Sequence, residues 1–238
     1  LDCDIKAFFD QIDHELLMCA VRKHTKSKWL LLYIERWLKA PVQAEDGTLH
    51  SREKGSPQGS VTSPLLANLF LHYAFDEWMR RNYKSIPFER YADDILVHCR
   101  SEKQAKWIRT IIEQRFNQCG LELNPEKTKI VYCKDSSRKG NYPNEKFDFL
   151  GYTFRPRLSK NRYGKFFVSF LPAVNDEAAK SMRKTIRGWR IHRMTEKSIK
   201  DLACMFNPII RGWINYYGQF YRSALYPIFN QLNGALQR

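Results

Sequence analysis

Two carboxylates stand side by side in Tyr91-Ala92-Asp93-Asp94, within the stretch Phe88-Glu89-Arg90-Tyr91-Ala92-Asp93-Asp94-Ile95-Leu96-Val97-His98-Cys99. Short apolar runs on either side predict strand, tight turn, strand, with both acids at the tip of the hairpin. Carboxylate oxygens held together there suit a hard divalent cation. A third acid, Asp4, comes from the opening segment Leu1-Asp2-Cys3-Asp4-Ile5. Two carboxylate strands that meet around Mg²⁺ are what nucleotidyl transfer needs, because the metals activate the attacking hydroxyl and stabilise the departing oxygen. An isolated Asp-Asp pair is more often a solvated turn, so the surroundings decide its meaning.

The elements that must position these acids are legible around them. Leu1–Ile5 reads as a short buried strand. Asp13 is placed to cap a helix with Leu16, Leu17, Ala20 and Val21 on one face, and Trp29–Lys39 predicts a second helix ended by Pro41. Val42–Lys54 predicts a hairpin turning at Asp46-Gly47, followed by a loop at Gly55-Ser56-Pro57-Gln58-Gly59. Ser63-Pro64 predicts a helix start, cap then proline, on a helix carrying Leu66, Phe70 and Trp78 toward the acidic hairpin. Ser101 caps a further helix through about Cys119, with Gly120 placed to stop it. Leu121–Leu123 and Thr128–Cys133 read as strands flanking a turn, and Phe147–Phe154 and Phe166–Phe170 as strands pairing across Asn161–Gly164. From Asn175 the pattern is helical, with Met182, Ile186 and Trp189 in one stripe and Leu225, Phe229, Leu232 and Leu236 in another. The expected class is α+β, an antiparallel sheet flanked by helices and followed by a helical domain. The change of pattern near Leu171-Pro172 suggests domains at 1–171 and 172–238.

Charge separates the two parts. The chain of 238 residues carries a formal net charge of +15. Residues 151–238 hold 16 Lys/Arg against 4 Asp/Glu, a balance of +12, whereas residues 1–150 are nearly balanced. Such asymmetry points to a polyanion, most often nucleic acid. Hydrophobic content of 43% fits a folded core rather than a disordered chain. Six cysteines are scattered singly, with no Cys-x-x-Cys, which argues against a zinc site or disulfide scaffold and fits a reducing, cytoplasmic setting. No apolar run approaches a membrane span and no signal-peptide pattern opens the chain. Leu1 is not Met and a strand is already under way there, so the sequence is expected to be a fragment.

With these motifs in view, nearly the whole chain resembles the reverse transcriptases of the group II intron type. Asp4-Ile5-Lys6-Ala7-Phe8-Phe9-Asp10 looks like that family's first catalytic strand, and Tyr91-Ala92-Asp93-Asp94 like its catalytic hairpin. The resemblance implies Asp4 and Asp93 as direct ligands of two Mg²⁺ ions, with Asp94 in a weaker or supporting role. It puts Phe9, with Phe8 adjacent, where a bulky side chain polices the sugar 2′ position. Gly55–Leu65 resembles the segment beside the incoming deoxynucleotide triphosphate, implying nucleotide contacts from Gln58 and Gly59. Gly120–Lys129 resembles the block where a lysine supports the carboxylates or phosphates, and Lys127 fits that role, a plain surface lysine being the alternative.

Phe149-Leu150-Gly151-Tyr152 resembles the primer-gripping hairpin, implying primer contacts from Leu150, Gly151 and Tyr152. Pro208–Tyr217 resembles the maturase or thumb segment. The implied architecture is a right-hand polymerase palm followed by a helical thumb. Arg183, Lys184, Arg187, Arg190 and Arg193 have helical spacing and are candidates for phosphates of bound RNA. The expected partners are an RNA template with DNA primer, intron RNA and deoxynucleotide triphosphates, with no membrane. The family's preceding fingers region, and the DNA-binding and endonuclease segments that many relatives carry, are expected to lie outside this sequence. Two readings remain open, an RNA-directed DNA polymerase and an RNA-binding maturase whose polymerisation is vestigial or lost in the fragment.

Overall fold

A computed structural model describes residues 1–43, 46–57 and 59–237. Contacts divide the chain into two compact units, Leu1–Ile130 and Val131–Arg238.

The first unit is built on a three-stranded antiparallel sheet. Strand β1 (Asp2–Cys3) is followed by helices α1 (Phe8–Gln11), α2 (His14–Arg22) and α3 (Lys28–Lys39). The small hairpin β2 (Val42–Gln43) and β3 (Leu49–His50) comes next, then α4 (Ser63–Leu71), a π-helical segment His72–Asp76, and α5 (Glu77–Asn82). Strands β4 (Phe88–Tyr91) and β5 (Asp94–Val97) make the acidic hairpin, and α6 (Glu102–Gln118) completes the named elements. The sheet order is β1-β5-β4, with Asp2 opposite Leu96, Cys3 opposite Ile95 and Tyr91 opposite Asp94.

Its core gathers Ile5, Phe8 and Ile12 with Leu17, Phe70, Phe75, Ile95, Ile108, Ile112 and Phe116. Each large side chain so buried contributes about 1.5–3 kcal/mol, and the set fastens α2, α4 and α6 to the sheet. Caps begin the helices as expected: Asp13 accepts from the Leu16 amide at 2.8 Å and Ser101 from the Gln104 amide at 3.2 Å. Gly120 takes φ 72° just past α6, where a left-handed residue ends a helix cheaply.

Three local expectations change. Helix α4 is preceded by Thr62, and Ser63 turns its hydroxyl back to the Pro57 carbonyl at 2.6 Å instead of capping. The π segment inserts an extra residue into the helical register, which the 3.6-residue periodicity conceals. Leu121–Leu123 and Thr128–Cys133 do not form a hairpin of their own. Leu123 bridges Ile5 and Lys129 bridges Asp2, because the free edge of the opening segment satisfies their backbone groups.

The second unit carries a sheet of β6 (Phe147–Phe149), β7 (Tyr152–Lys160) and β8 (Phe166–Val174), in that order. The single strand expected over Phe147–Phe154 is broken by a two-residue turn, with Leu150 at φ 51° and Gly151 at φ 77°. Two positive φ values match the right-handed twist of the flanking strands. Lys160 pairs with Phe166 across the expected turn, and pairing runs back to Tyr152 with Val174. The compositional division at 171–172 therefore falls inside β8.

Helices α7 (Asp176–Gly188), α8 (Ile199–Tyr217) and α9 (Tyr226–Leu236) follow. Asn175 caps α7, and Ser198 with Asp201 forms a capping box on α8. Met182 and Ile186 pack with Leu202, Phe206, Ile228 and Leu232, while Trp189 stacks on Phe206 at 4.3 Å. In the last stripe Ile228 takes the buried place and Leu236 is exposed.

The cysteines report on this packing. Burial pushes the Cys3 thiol up to about 12, whereas Cys19 and Cys204 are exposed. Iodoacetamide at neutral pH should alkylate Cys19 and Cys204 in the native protein and reach Cys3 only after denaturation. Peptide mass mapping checks this, and rapid native labelling of Cys3 would contradict the buried opening strand.

Candidate active site

The sheet register brings the acids together. One step beyond Cys3–Ile95 sets Asp4 toward Asp94, and Asp93 occupies the turn between β4 and β5. Burial raises the Asp94 carboxyl above the usual carboxylate range, and the charges of Asp93 and Asp4 push the same way, against Lys127. Burial also lifts Asp2 to about 6, with Asp94 and Asp4 adding to it against the N-terminal ammonium and Lys129. Four carboxylates thus share one field. The Lys127 ammonium stands 3.6 Å from Asp4 Oδ1. Its turn is fixed by Asn124, whose side-chain oxygen accepts from the Glu126 and Lys127 amides at 3.1 and 3.3 Å. The backbone of Asp4 is tied to the same segment through the Asn124 amide at 2.8 Å and the buried Thr128 hydroxyl.

Hard oxygen donors crowded against one another suit a divalent cation. Among the described residues no three His, Cys, Asp or Glu side chains converge tightly enough to hold a metal by themselves. Mg²⁺ asks for less, since it commonly takes one or two carboxylates and completes its octahedron with water and phosphate oxygens.

The turn bearing Asp93 has a clamp that sequence reading missed. Ala92 takes φ 53°, a left-handed position that costs an L-residue about 1–2 kcal/mol. Arg90 Nη1 donates to the Ala92 carbonyl at 2.8 Å and to Asn68 Oδ1 at 2.9 Å. The rest of its guanidinium forms a bidentate pair with Asp76, Nε to Oδ1 at 2.7 Å and Nη2 to Oδ2 at 2.6 Å. Both side chains are only 10% exposed, and Asp76 comes from the π segment. The available signal was an arginine immediately before the Tyr91–Asp94 motif. Its partner, 14 residues earlier on an irregular helix, had none.

Phe9 lies beside a second built feature. Phe8 is buried in the core while Phe9 is half-buried beside it, their rings 5.4 Å apart. The Gly55 loop docks on the same turn, with the Ser56 amide donating to the Phe9 carbonyl and the Gly55 amide to that of Ile12, each at 2.7 Å. Gly55 has φ 86°, and a Cβ there would meet Asp10 and Phe9 backbone atoms at 2.9 Å, so only glycine fits. His14, also missed, is buried and bonds the Gly55 carbonyl through Nε2 at 2.7 Å. Gly59 is exposed with φ 85°, and Gln58 lies outside the described residues.

In the second unit the turn at Leu150-Gly151 is held by the end of α8. The Tyr216 hydroxyl donates to the Leu150 carbonyl at 2.9 Å, the Tyr152 hydroxyl donates to the Tyr216 carbonyl, and a Cβ on Gly151 would lie 2.7 Å from the Tyr217 hydroxyl. The rings of Tyr152 and Tyr217 lie 5.3 Å apart. On α7, Lys184 and Arg187 are exposed and Arg183 is half-buried. Arg190 departs from the expected helical row: it follows the helix at φ 49°, so its side chain leaves in a different direction.

Breaking the Arg90–Asp76 pair by Asp76→Asn should cost about 3–5 kcal/mol, because it leaves a guanidinium buried without its counter-charge. Urea unfolding checks the value, and a loss below about 1 kcal/mol would class the pair with exposed surface bridges.

The reverse transcriptase (RNA-dependent DNA polymerase) family matches residues 1–154, and the group II intron maturase-specific domain matches residues 179–238. The group II intron-encoded protein LtrA of Lactococcus lactis is 25% identical, covering 97% of this chain and 49% of that protein. A putative COX1/OXI3 intron 1 protein of Saccharomyces cerevisiae is 22% identical, covering 91% of this chain and 34% of its own length. The chain thus spans about half the length, or less, of these relatives. Telomerase from Candida albicans, solved with a TWJ fragment of telomeric RNA, superposes with a TM-score of 0.52 at 12% identity, over 98% of this chain and 42% of that one. That likeness concerns the fold, a polymerase palm. On the family match over residues 1–154 and the maturase-specific segment behind it, the chain belongs to the reverse transcriptases encoded by group II introns.

Proposed function

We propose that the chain supplies the catalytic carboxylates of an RNA-directed DNA polymerase that extends a primer 3′-hydroxyl on an RNA template. The observation that carries this reading is the strand register that brings Asp4, Asp93 and Asp94 to one end of the β1-β5-β4 sheet, with the Lys127 ammonium 3.6 Å from Asp4. Asp4 and Asp93 would hold two Mg²⁺ ions, with Asp94 in support. Bound there, the ions would supply Lewis-acid activation of the hydroxyl and neutralise charge on the phosphates. Arg90 keeps Asp93 at the tip by fixing the Ala92 carbonyl. Lys127 offsets part of the carboxylate repulsion and lies where a triphosphate would gain from a cation.

Phe9 is the better placed of the two phenylalanines to exclude a 2′-hydroxyl, since Phe8 is committed to the core. The family resemblance assigns nucleotide contacts to Gly59 and Gln58, and the turn Leu150-Gly151-Tyr152 would present its backbone to the primer. The basic face of α7, with Arg183, Lys184 and Arg187, and Arg190 beyond it, would hold phosphates of structured RNA by charge. That face, within or beside the maturase-specific match at 179–238, favours a second reading in which the same chain also binds intron RNA as a splicing cofactor.

In the complete gene product, Asp93→Asn should abolish primer extension while RNA affinity stays within about twofold, because charge on the basic segment sets affinity. Undiminished extension would contradict the assignment. The same assay with ribonucleotides tests the gate. Phe9→Ala should admit them and Phe8→Ala should not, and the reverse pattern would move the role to Phe8.

A further inference from the structure

The β7–β8 hairpin carries a surface that neither the acidic site nor α7 uses. Between Asp148 and Asp176 the chain has no acidic residue, yet it contains Arg155, Arg157, Lys160, Arg162 and Lys165. Arg157 has a structural task, donating to the Leu171 and Thr153 carbonyls and lying 5.1 Å from the Tyr221 ring. The other four are exposed, and among the described residues none forms an ion pair. The neighbouring loop behaves differently: Lys134 is paired with Glu145 at 3.2 Å and Arg138 with Asp135. That loop closes the edge of β8 only as far as Val168, where Ser136 bonds both the amide and the carbonyl. Beyond it the hairpin tip has no covering segment among the described residues.

Aromatic rings interleave with these cations. Tyr163 is 77% exposed and Phe166 61% exposed. The Arg162 guanidinium lies 4.7 Å from the Tyr163 centroid, and Lys160 Nζ lies 5.5 Å from that of Phe166. A large exposed ring is unfavourable in water, and a cation over one of its faces leaves the other face open. Phosphate-matching charge beside stackable rings is the combination that holds unpaired nucleotides. Duplex RNA keeps its bases stacked inside and offers such rings little.

We propose that the tip of the β7–β8 hairpin is a contact site for single-stranded RNA, in which Lys160, Arg162 and Lys165 meet phosphates and Tyr163 and Phe166 stack on bases. The choice of RNA over another polyanion rests on the proposed function. The surface itself stands on charge, exposure and ring geometry, and it needs neither metal nor polymerisation.

The test is equilibrium binding of the intact chain to an unstructured RNA oligonucleotide and to a blunt RNA duplex, across a salt series without divalent metal. Replacing the three tip cations Lys160, Arg162 and Lys165 by Gln should weaken single-strand binding and flatten its salt dependence by up to about 2 units of log–log slope, near 0.7 per phosphate. Tyr163→Ala with Phe166→Ala should weaken single-strand binding by about tenfold or more, leaving the slope and duplex binding unchanged. Both variants alter exposed side chains, and an unchanged melting temperature verifies the fold. Unchanged single-strand affinity and slope in the Gln variant would overturn the site. Equal losses on duplex and single strand in the ring variant would overturn the stacking role. Absent primer extension would count against the polymerase reading and leave this result intact.

Discussion

Asp4, Asp93 and Asp94 crowd like charge at one end of a small sheet, and much of the first unit answers the cost of holding it there. Two unit charges about 4 Å apart repel by about 4 kcal/mol at an effective dielectric constant near 20. Burial is the main cause of the upward push on Asp94, and on Asp2 behind it, and repulsion from the neighbouring carboxylates adds to it. A hairpin tip so loaded would open unless it were tied down. Arg90 ties it from within, its guanidinium shared between the Ala92 carbonyl, Asn68 and Asp76. Lys127 offsets the field from the other side of Asp4. The irregular π segment has a purpose in this light, because it delivers a buried carboxylate to the strand that needs one.

Backbone approach is the second device. The Gly55 loop sits on the Phe9–Asp10 turn at distances that leave no room for a Cβ, and His14 and two serines fix the loop from beneath. The turn at Leu150-Gly151 is built alike, with tyrosines of α8 closing on its backbone. In both places a rigid element holds a strained loop, so the strain is confined where a ligand would meet the backbone.

The acidic hairpin, the helix caps at Asp13 and Ser101, the helical onset at Asn175, and the buried stripe Met182 and Ile186 were legible because short-range chemistry decides them. Two adjacent acids between apolar runs, or a capping side chain before an amphipathic run, carry their own explanation. The clamp was not legible, because Asp76 and Arg90 meet only through a π turn that breaks the periodicity used to assign faces. The segments Leu121–Leu123 and Thr128–Cys133 were expected as strands but make only isolated bridges, Leu123 with Ile5 and Lys129 with Asp2, because single-sequence pattern cannot show which backbone edge a segment will meet. Arg190 looked like one more member of a helical row, until the left-handed backbone after α7 turned it away. The pattern alone ran extended chain through Phe147–Phe154, because Leu150 rarely takes positive φ, whereas the resemblance at Phe149–Tyr152 implied the hairpin found there.

Asp4 and Asp93, from segments far apart in the chain, are proposed to serve one cation site. Crystals of the protein grown with Mn²⁺ in place of Mg²⁺ test it directly through anomalous scattering. Mn²⁺ density is expected within about 2.3 Å of a carboxylate oxygen from each of Asp4 and Asp93, completed by water. An ion bound elsewhere, or no ion between these two carboxylates at millimolar Mn²⁺, would contradict it.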